Sequence, residues 1–512
     1  MERTGAHVLV GALELHGVDT LFGVPGHGAY PIYDALNDFP SVQPFVGRNE
    51  QGATFSAEGY SRATGRVAVA TAVPKAGLTN AATGIWEAND QPSRMLFLLE
   101  ADPTHRSILE PICRYYARAE SPGEIAPRAH ELIWRLRNGR PGAAALEVPN
   151  AVLNARTDAD PGDGFEAPPS APLDRAALAA LAARLGRAER PLIVAGAPAL
   201  DAPSALVRLS ERLQAPVFVD GRAKGAIPDD HPLALGFSYA PSRAGGRLVE
   251  RSDLVLQIGH DDAATAGLGP ERLVRIDWDD ALGAAAPSLT GNVPALLEAL
   301  LEALAEAVPQ RAGGWSTAEL DEVRRSPHDY AEERVPWATA VWRELRRALP
   351  RETLVFTDSL FGLWTARLFP VYAPNTLSFP WGTGTLGHAV PAALGARRAR
   401  PDVPIVAIAG DGAFLYNPQE LATMMLYRQK LIVIVANDDC YGAVRDNTMA
   451  MFGRSIAHVL RNPDFLSFGH AFGMDATRLR GADELGEALA TALSSERSAL
   501  IELPLELRPP RF

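Results

Sequence analysis

The sequence has few of the features that mark secreted, membrane or nucleic-acid-binding proteins. It contains only two cysteines in 512 residues, too few for a disulfide framework or a cysteine-based zinc site. Its longest apolar runs, such as residues 431–436, are far shorter than the roughly 20 residues that a membrane helix needs. Its start lacks the pattern of a signal peptide. Acidic residues outnumber basic ones by 61 to 49, whereas phosphate contacts need a basic face. We therefore expect a cytoplasmic protein that binds neither membranes nor nucleic acids.

The remaining composition is that of an ordinary globular protein, with 47% apolar and 21% charged residues. Short apolar runs alternate with helical patterns along most of the chain, which is typical of βα units and parallel sheets. Breaks punctuated by proline and glycine occur at about 155–172 and 309–327. They divide the chain into segments 1–155, 172–308 and 328–512. We expect an α/β protein of three domains, each with a mainly parallel sheet flanked by helices.

The middle segment shows a nucleotide-fold-like alternation of apolar runs, at residues 191–196, 215–219, 253–259 and 273–277. It has no G-x-G-x-x-G motif at its first turn, so the pattern assigns it no dinucleotide. We interpret this segment as a structural spacer.

In the third segment, acidic residues follow two successive apolar runs. The run 403–409 ends in Gly-Asp-Gly, which includes Asp411 and Gly412, and the run 431–436 is followed by Asp438. Ligands of open α/β sheets bind at the carboxyl edge of the strands, and Mg²⁺ prefers oxygen ligands. Asp411, Asp438 and a main-chain carbonyl could supply three of these oxygens. Gly412 and Ala413 leave backbone N–H groups accessible to a phosphate.

A helix is predicted between these two runs. Asn417 is a suitable N-cap residue, Pro418 fits the first helical position, and Glu420 would complete a capping box. The order of strand, capped helix, strand and second acidic turn favours a metal–diphosphate site over a pair of solvated loop carboxylates.

This stretch resembles the cofactor motif of thiamine-diphosphate-dependent enzymes, in which Gly-Asp-Gly and a downstream pair of asparagines hold Mg²⁺ and the diphosphate. The resemblance covers nearly the whole chain and implies thiamine diphosphate and Mg²⁺ as cofactors. By this resemblance, Asp411 is the first metal ligand and Cys440 offers its backbone carbonyl as another. Asp438 stands where the family usually has asparagine. It keeps the oxygen ligand but adds a negative charge beside the diphosphate.

Residues 46–53 are similar to the family's glutamate-bearing turn from strand to helix. By that match, Glu50 is the carboxylate that hydrogen-bonds N1′ of the aminopyrimidine and promotes its imino form, which removes the C2 proton. The resulting ylide attacks a 2-oxo acid, and loss of CO₂ leaves an enamine. His27 falls where family members place varied catalytic residues, and a histidine there could transfer protons near neutral pH.

Residues 382–389 resemble the segment that bends the cofactor. Leu386 matches the large apolar residue under the bend, and Gly384 would offer its carbonyl to the 4′-amino group. Glu50 and Asp411 lie on different segments. The resemblance therefore implies a homodimer or homotetramer with active sites at the subunit interface.

Residues 439–445, which follow the second acidic turn, are most similar to benzoylformate decarboxylase. The first hypothesis is therefore a non-oxidative 2-oxo acid decarboxylase. The alternative is a carboligase, like acetolactate synthase or benzaldehyde lyase, that forms 2-hydroxyketones. A third hypothesis is a catalytically silent partner subunit, suggested by departures from the family pattern at Lys75, Ala76 and Asp438. The sequence leaves open the substrate, a flavin in the middle segment, and the roles of His105 and His388.

Overall fold

The computed structural model describes residues 3–506 except 92, 169–171, 238–242, 260–264, 266, 280–287 and 308–312, together with residues 508 and 509. It contains three six-stranded sheets in which every strand pairs in parallel. Helices flank each sheet, which confirms the predicted α/β class. Within these ranges, no helix is both long and apolar enough to cross a membrane.

The first domain contains a sheet of order β2-β1-β3-β4-β6-β5. Its strands are β1 Thr20–Gly23, β2 Gln43–Val46, β3 Ala68–Ala72, β4 Met95–Glu100, β5 Tyr115–Arg118 and β6 Ala143–Val148. Its helices are α1 Gly5–Leu15, α2 Tyr30–Ala35, α3 Glu50–Thr64, α4 Ala76–Asp90, α5 Arg106–Ile112, α6 Pro122–Asn138 and α7 Asn150–Asn154.

The central domain has the order β12-β11-β10-β7-β8-β9, the doubly wound arrangement that reverses between β10 and β7. Its strands are β7 Pro191–Ala195, β8 Val217–Val219, β9 Ala234–Phe237, β10 Leu254–Ile258, β11 Leu273–Asp277 and β12 Ser288–Thr290. Its helices are α8 Arg175–Arg187, α9 Pro203–Leu213, α10 Arg243–Arg251 and α11 Val293–Ala307.

The third domain has the order β14-β13-β15-β16-β18-β17, the same topology as the first. Its strands are β13 Leu354–Thr357, β14 Leu377–Ser378, β15 Ile405–Gly410, β16 Ile432–Asn437, β17 Asp475–Arg478 and β18 Ala499–Pro504. Its helices, with the one that leads into it, are α12 Thr317–Arg334, α13 Pro336–Ala348, α14 Ser359–Leu368, α15 Ala389–Ala399, α16 Asp411–Phe414, α17 Glu420–Leu426, α18 Gly442–Phe452, α19 Phe465–Ala471 and α20 Leu485–Ser494.

A helix begins within the second predicted break, 309–327. Helix α12 begins after Ser316, whose hydroxyl accepts from the Glu319 N–H while the Glu319 carboxylate accepts from the Ser316 N–H. This capping box stabilises the start of the helix, which continues through Pro327 to Arg334. Leu320 belongs to the central core and Ala331 to the third core, so α12 packs on both domains. Each predicted segment contains one sheet, while the domain boundaries themselves stay a prediction.

The first and third domains share one hydrophobic core, because α3 packs directly against α15. Small residues permit this approach. A Cβ atom at Gly59 would overlap the Ala392 carbonyl, and one at Gly395 would overlap the Ser56 carbonyl. The Ser56 hydroxyl donates to the Pro391 carbonyl at 2.9 Å. This packing fixes the helix that starts at Glu50 relative to the third domain.

Candidate active site

The carboxyl ends of β15 and β16 form the floor of a pocket in the third domain. The two strands are parallel neighbours, with Gly410 opposite Ala436, so the turns that follow them lie side by side. The pocket is lined by residues of these turns and of the neighbouring segments, among them Asp358, Leu386, Asp411, Gly412, Ala413, Asp438, Cys440, Tyr441 and Val444. Six of the nine residues predicted for the site therefore meet in one pocket.

The oxygen groups of this pocket fit a hard divalent cation. Asp411 is the first residue of α16 and is buried. Burial raises the pKa of Asp411. The hydrogen bonds that its carboxylate accepts from Asn462 and from the N–H groups of Gly412 and Cys440 lower this pKa and offset part of the effect. No group of three or more His, Cys, Asp or Glu residues arranged for a metal ion occurs in the described ranges. Two carboxylates and a carbonyl leave further positions to phosphate and water, as Mg²⁺ prefers.

Asn462 is a site residue that sequence reasoning missed. Its side-chain amide donates to Asp411 Oδ2 at 2.6 Å, to Asn437 Oδ1 at 3.0 Å and to Asp439 Oδ1 at 2.9 Å. It thus joins the turn after β15 to the turn after β16. The local signal, Asn-Pro-Asp before α19, indicates only a turn and a helix start.

The bend segment reaches the same pocket. Gly384 adopts φ +62°, a left-handed conformation that favours glycine, and Leu386 lines the pocket two residues later. The Asn417 amide donates to the Gly387 carbonyl at 3.0 Å. Asn417 therefore does not cap the helix as predicted. Helix α17 begins at Glu420 after Gln419, because Asn417 and Glu420 both have partners in distant segments.

The predicted activating carboxylate lies in the first domain. Glu50 is the first residue of α3, after the N-cap Asn49, and is buried. The Asn80 amide donates to Glu50 Oε2 at 3.0 Å.

His27 lies in the loop that follows β1. Because β1 pairs in parallel with β2 and β3, this loop is at the same carboxyl edge of the sheet as the Glu50 turn, which follows β2. His27 is exposed, with its ring edge-on to Tyr30 at 6.4 Å.

Within one chain, the structure does not bring the two parts of the predicted site into one cavity. The residues that line the Asp411 pocket lie between 358 and 444. None of them belongs to the described part of the first domain. The chain thus presents two separate predicted half-sites, one around Glu50 and one around Asp411.

The two histidines whose roles the sequence left open are both buried. His105 Nδ1 is 3.0 Å from Glu147 Oε1, and its Nε2 accepts from the Lys75 N–H at 3.0 Å. This contact supports the Lys75 turn, which adopts φ +62°. His388 Nε2 is 3.0 Å from Glu58 Oε2. Neither histidine lines the Asp411 pocket.

Comparison with known proteins identifies the family of each of the three domains. Residues 3–112 match the N-terminal TPP-binding domain of thiamine pyrophosphate enzymes, 178–300 the central domain, and 360–503 the C-terminal TPP-binding domain. A Pseudomonas aeruginosa protein named probable 2-ketoarginine decarboxylase AruI is 32% identical over 98% of this chain and 94% of its own length. The chain belongs to the thiamine pyrophosphate enzyme family.

Other family members extend this comparison to carboligases. An acetolactate synthase of Bacillus subtilis is 27% identical over 99% of this chain and 94% of its own length. A probable acetolactate synthase large subunit of Methanocaldococcus jannaschii is 28% identical over 98% and 92%. The chain is thus a thiamine-pyrophosphate-dependent enzyme, a decarboxylase or carboligase. Glu50 lies in its N-terminal and Asp411 in its C-terminal TPP-binding domain.

Proposed function

We propose that the protein is a thiamine-pyrophosphate- and Mg²⁺-dependent enzyme that removes CO₂ from a 2-oxo acid without oxidation. The observation that carries this proposal is the pocket in which Asp411, Asp438 and Cys440 converge beside Gly412 and Ala413. The two carboxylates and the Cys440 carbonyl would hold Mg²⁺. The N–H groups at the start of α16 would face the diphosphate.

When bound, the cofactor supplies the electron sink for loss of CO₂. Leu386 and the Gly384 carbonyl would orient its pyrimidine ring. Glu50 would hold a proton at N1′ of that ring, since burial keeps its carboxylate away from water. His27, exposed at the same sheet edge, would exchange a proton with the substrate.

We further propose that each active site forms between two subunits of a homodimer or homotetramer. The pocket around Asp411 contains no described residue of the first domain, so it is incomplete within one chain. Large apolar side chains are also exposed beside it, on and after α18, and would be covered by a partner subunit. These are Val444, Met449, Met451, Phe452, Ile456 and Val459.

A carboligase is the second candidate function, favoured by the relatives named acetolactate synthase. Both activities require the same cofactor residues, so the products decide between them. We suggest incubating the enzyme with benzoylformate, pyruvate and a guanidinium-bearing 2-oxo acid, each with and without an acceptor aldehyde. The third was chosen because of the relative named 2-ketoarginine decarboxylase. Aldehyde alone supports the decarboxylase, and 2-hydroxyketone supports the carboligase.

The hypothesis of a silent subunit loses support, because the chain belongs to an enzyme family and retains Glu50. Exchange of the cofactor C2 proton on the protein tests it directly. No acceleration over the free cofactor would indicate a silent protein.

The Glu50→Gln variant tests the role of the activating carboxylate. We expect cofactor affinity to stay close to that of the wild type, while turnover falls by about 10²–10⁴-fold because the proton at N1′ is no longer held by an acid. Steady-state kinetics and a cofactor titration measure the two effects. Glu124→Gln, in the partly exposed first turn of α6, serves as the control. Near-normal turnover of Glu50→Gln would refute the assigned role.

A further inference from the structure

Glu420 extends from the third domain into the turn that precedes Glu50. Its side chain is fully buried. Its Oε1 accepts from the backbone N–H groups of Arg48 and Asn49, each at 3.1 Å. Its Oε2 lies 3.3 Å from the Arg48 nitrogen and accepts from the Thr423 hydroxyl at 2.7 Å. Both carboxylate oxygens are therefore used, and they connect the two domains of one chain.

The Glu420 side chain also faces Gly52 in the first turn of α3. A Cβ atom at Gly52 would overlap the Glu420 carboxyl group, so the glycine leaves the space that Glu420 occupies. Asn49, whose N–H donates to Glu420, also caps α3 by accepting from the Gln51 N–H. Glu420 thus contacts both the N-cap and the first turn of the helix that begins with Glu50.

These contacts fix where the Glu50 side chain starts. The N–H groups before a helix have no partner within the helix, and leaving such a group buried without a partner is costly. The Arg48 and Asn49 N–H groups obtain theirs from Glu420 rather than from the first domain. The orientation of the Glu50 turn therefore depends on the carboxylate of the first residue of α17, nine residues after Asp411.

We propose that Glu420 is a positioning residue for Glu50, and that it links the metal turn and the activating carboxylate of the same chain. This inference rests on the role proposed for Glu50. In a homodimer with shared sites, one chain contributes Asp411 to one site and Glu50 to the other. The contact of Glu420 with Arg48 and Asn49 then joins the two active sites of the dimer.

Amide hydrogen exchange of the cofactor-free protein tests the contact itself. In Glu420→Ala we expect the Arg48 and Asn49 amides to exchange about tenfold faster or more, since they lose their acceptor. Gly52→Ala should act in the same direction by displacing the carboxylate, even if Glu420→Ala folds poorly. Glu420→Gln keeps one carbonyl oxygen as an acceptor and should restore part of the protection.

Tyr427→Phe is the matched control. The Tyr427 hydroxyl accepts from the Val46 N–H at 2.7 Å and donates to the Pro44 carbonyl at 3.1 Å. Its hydroxyl therefore binds the same strand end of the first domain through Val46 and Pro44, whereas Glu420 binds Arg48 and Asn49. We expect wild-type exchange at these two amides in this variant.

Exchange of the C2 proton of thiamine pyrophosphate, bound with Mg²⁺, tests the consequence for Glu50. In Glu420→Ala and Gly52→Ala the rate should fall about tenfold or more, while cofactor affinity stays within about threefold because the Asp411 pocket is intact. A wild type that does not accelerate the exchange contradicts the proposed function. Accelerated exchange that both variants retain overturns the positioning role alone, even if their amides exchange faster.

Discussion

At the scale of single residues, the proposed metal pocket depends on an asparagine from outside the turns that follow β15 and β16. Asn462 donates to Asp411 and to Asp439, residues of different turns. Such outer contacts orient the ligands of a metal and commonly matter nearly as much as the ligands themselves. The distance between the Asp411 carboxylate and the turn after β16 is therefore set by a third segment of the chain.

We predict that Asn462→Ala weakens Mg²⁺-dependent cofactor binding by about 10–100-fold, because the Asp411 carboxylate loses its orienting donor. Calorimetric titration with thiamine pyrophosphate at fixed Mg²⁺ measures the effect. Asp411→Ala should be at least as damaging, since it removes the ligand. Asn138→Ala, at the exposed end of α6, is the control. Equal affinities in Asn462→Ala and Asn138→Ala would contradict the assignment.

At the scale of elements, the close contact of α3 with α15 positions the Glu50 half-site. Backbone approaches backbone at Gly59 and at Gly395, where side chains would meet carbonyl groups. Helices that carry larger side chains at such contacts stay 8–10 Å apart. The small residues therefore determine the distance between the first and third domains.

Replacing Gly59 by alanine should destabilise the protein by about 1–3 kcal/mol, because the added methyl group forces the two helices apart. Urea unfolding measures the change in the free energy of unfolding. Gly123→Ala is a matched control within α6, since a Cβ atom there meets nothing within 4 Å. It should be neutral or slightly stabilising. Equal stabilities of the two variants would show that α3 and α15 tolerate a wider separation.

At the scale of the whole molecule, a buried ionic cluster connects the first and third domains. His388 pairs with Glu58, and Glu87 and Asp358 face the same imidazole. Burial opposes its charge, but the Glu58 carboxylate raises the pKa of His388 to about 9. The same pair holds the pKa of Glu58 below its usual range despite burial. Burial raises the pKa of Glu87 to about 7 and that of Asp358 to about 6.

These shifts predict how stability varies with pH. The raised pKa of His388 stabilises the folded protein. This contribution is complete below about pH 6.5, the ordinary pKa of histidine, and is lost as the pH rises through about 9. The raised pKa values of Glu87 and Asp358 also make the free energy of unfolding fall as the pH rises, but they do so at lower pH. The lowered pKa of Glu58 contributes stability above its ordinary value, which is lost only in acid. We therefore expect the urea midpoint of the wild type to fall as the pH rises from about 6.5 to above 9.

His388→Gln should remove the histidine part of this dependence. Near pH 6.5 we expect it to be about 3 kcal/mol less stable than the wild type, because the buried Glu58 loses its hydrogen-bonded cation and keeps only the attraction of Arg62. The difference should narrow above about pH 9, where the wild-type histidine is neutral. His470→Gln, which alters an exposed histidine, should leave the profile unchanged. A gap that is the same at all pH values would contradict the charged pair.

The proposed assembly predicts complementation between two inactive variants. Glu50→Gln and Asp411→Ala chains, mixed in equal amounts under conditions that exchange subunits, would form hybrids with one intact site. Random pairing makes half of the dimers hybrid, so about a quarter of wild-type activity should return. Each variant mixed with itself is the control. An absence of recovery, with hybrids demonstrated by mass spectrometry, would place the complete site within one chain.

The sequence by itself determined the elements that local patterns encode. The run 273–277 is β11 with the same bounds, and the acidic turns follow β15 and β16 as predicted. Apolar periodicity and strand-end residues act over a few positions, so they can be read without a fold. This local information predicted that Asp411 and Asp438 lie at one sheet edge, and both residues line the same pocket. Cys440 was predicted by the family resemblance.

Only the tertiary structure decided which distant groups meet. Asn462 on the Asp411 carboxylate, Glu420 on the Arg48 and Asn49 amides, and His388 on Glu58 each join segments far apart in sequence. The Glu420 carboxylate illustrates the reason, because its local pattern predicts a capping box, whereas donors in another domain bind it instead. Domain packing brings buried donors and acceptors together, and the cost of leaving any of them unpaired selects partners that no local pattern specifies.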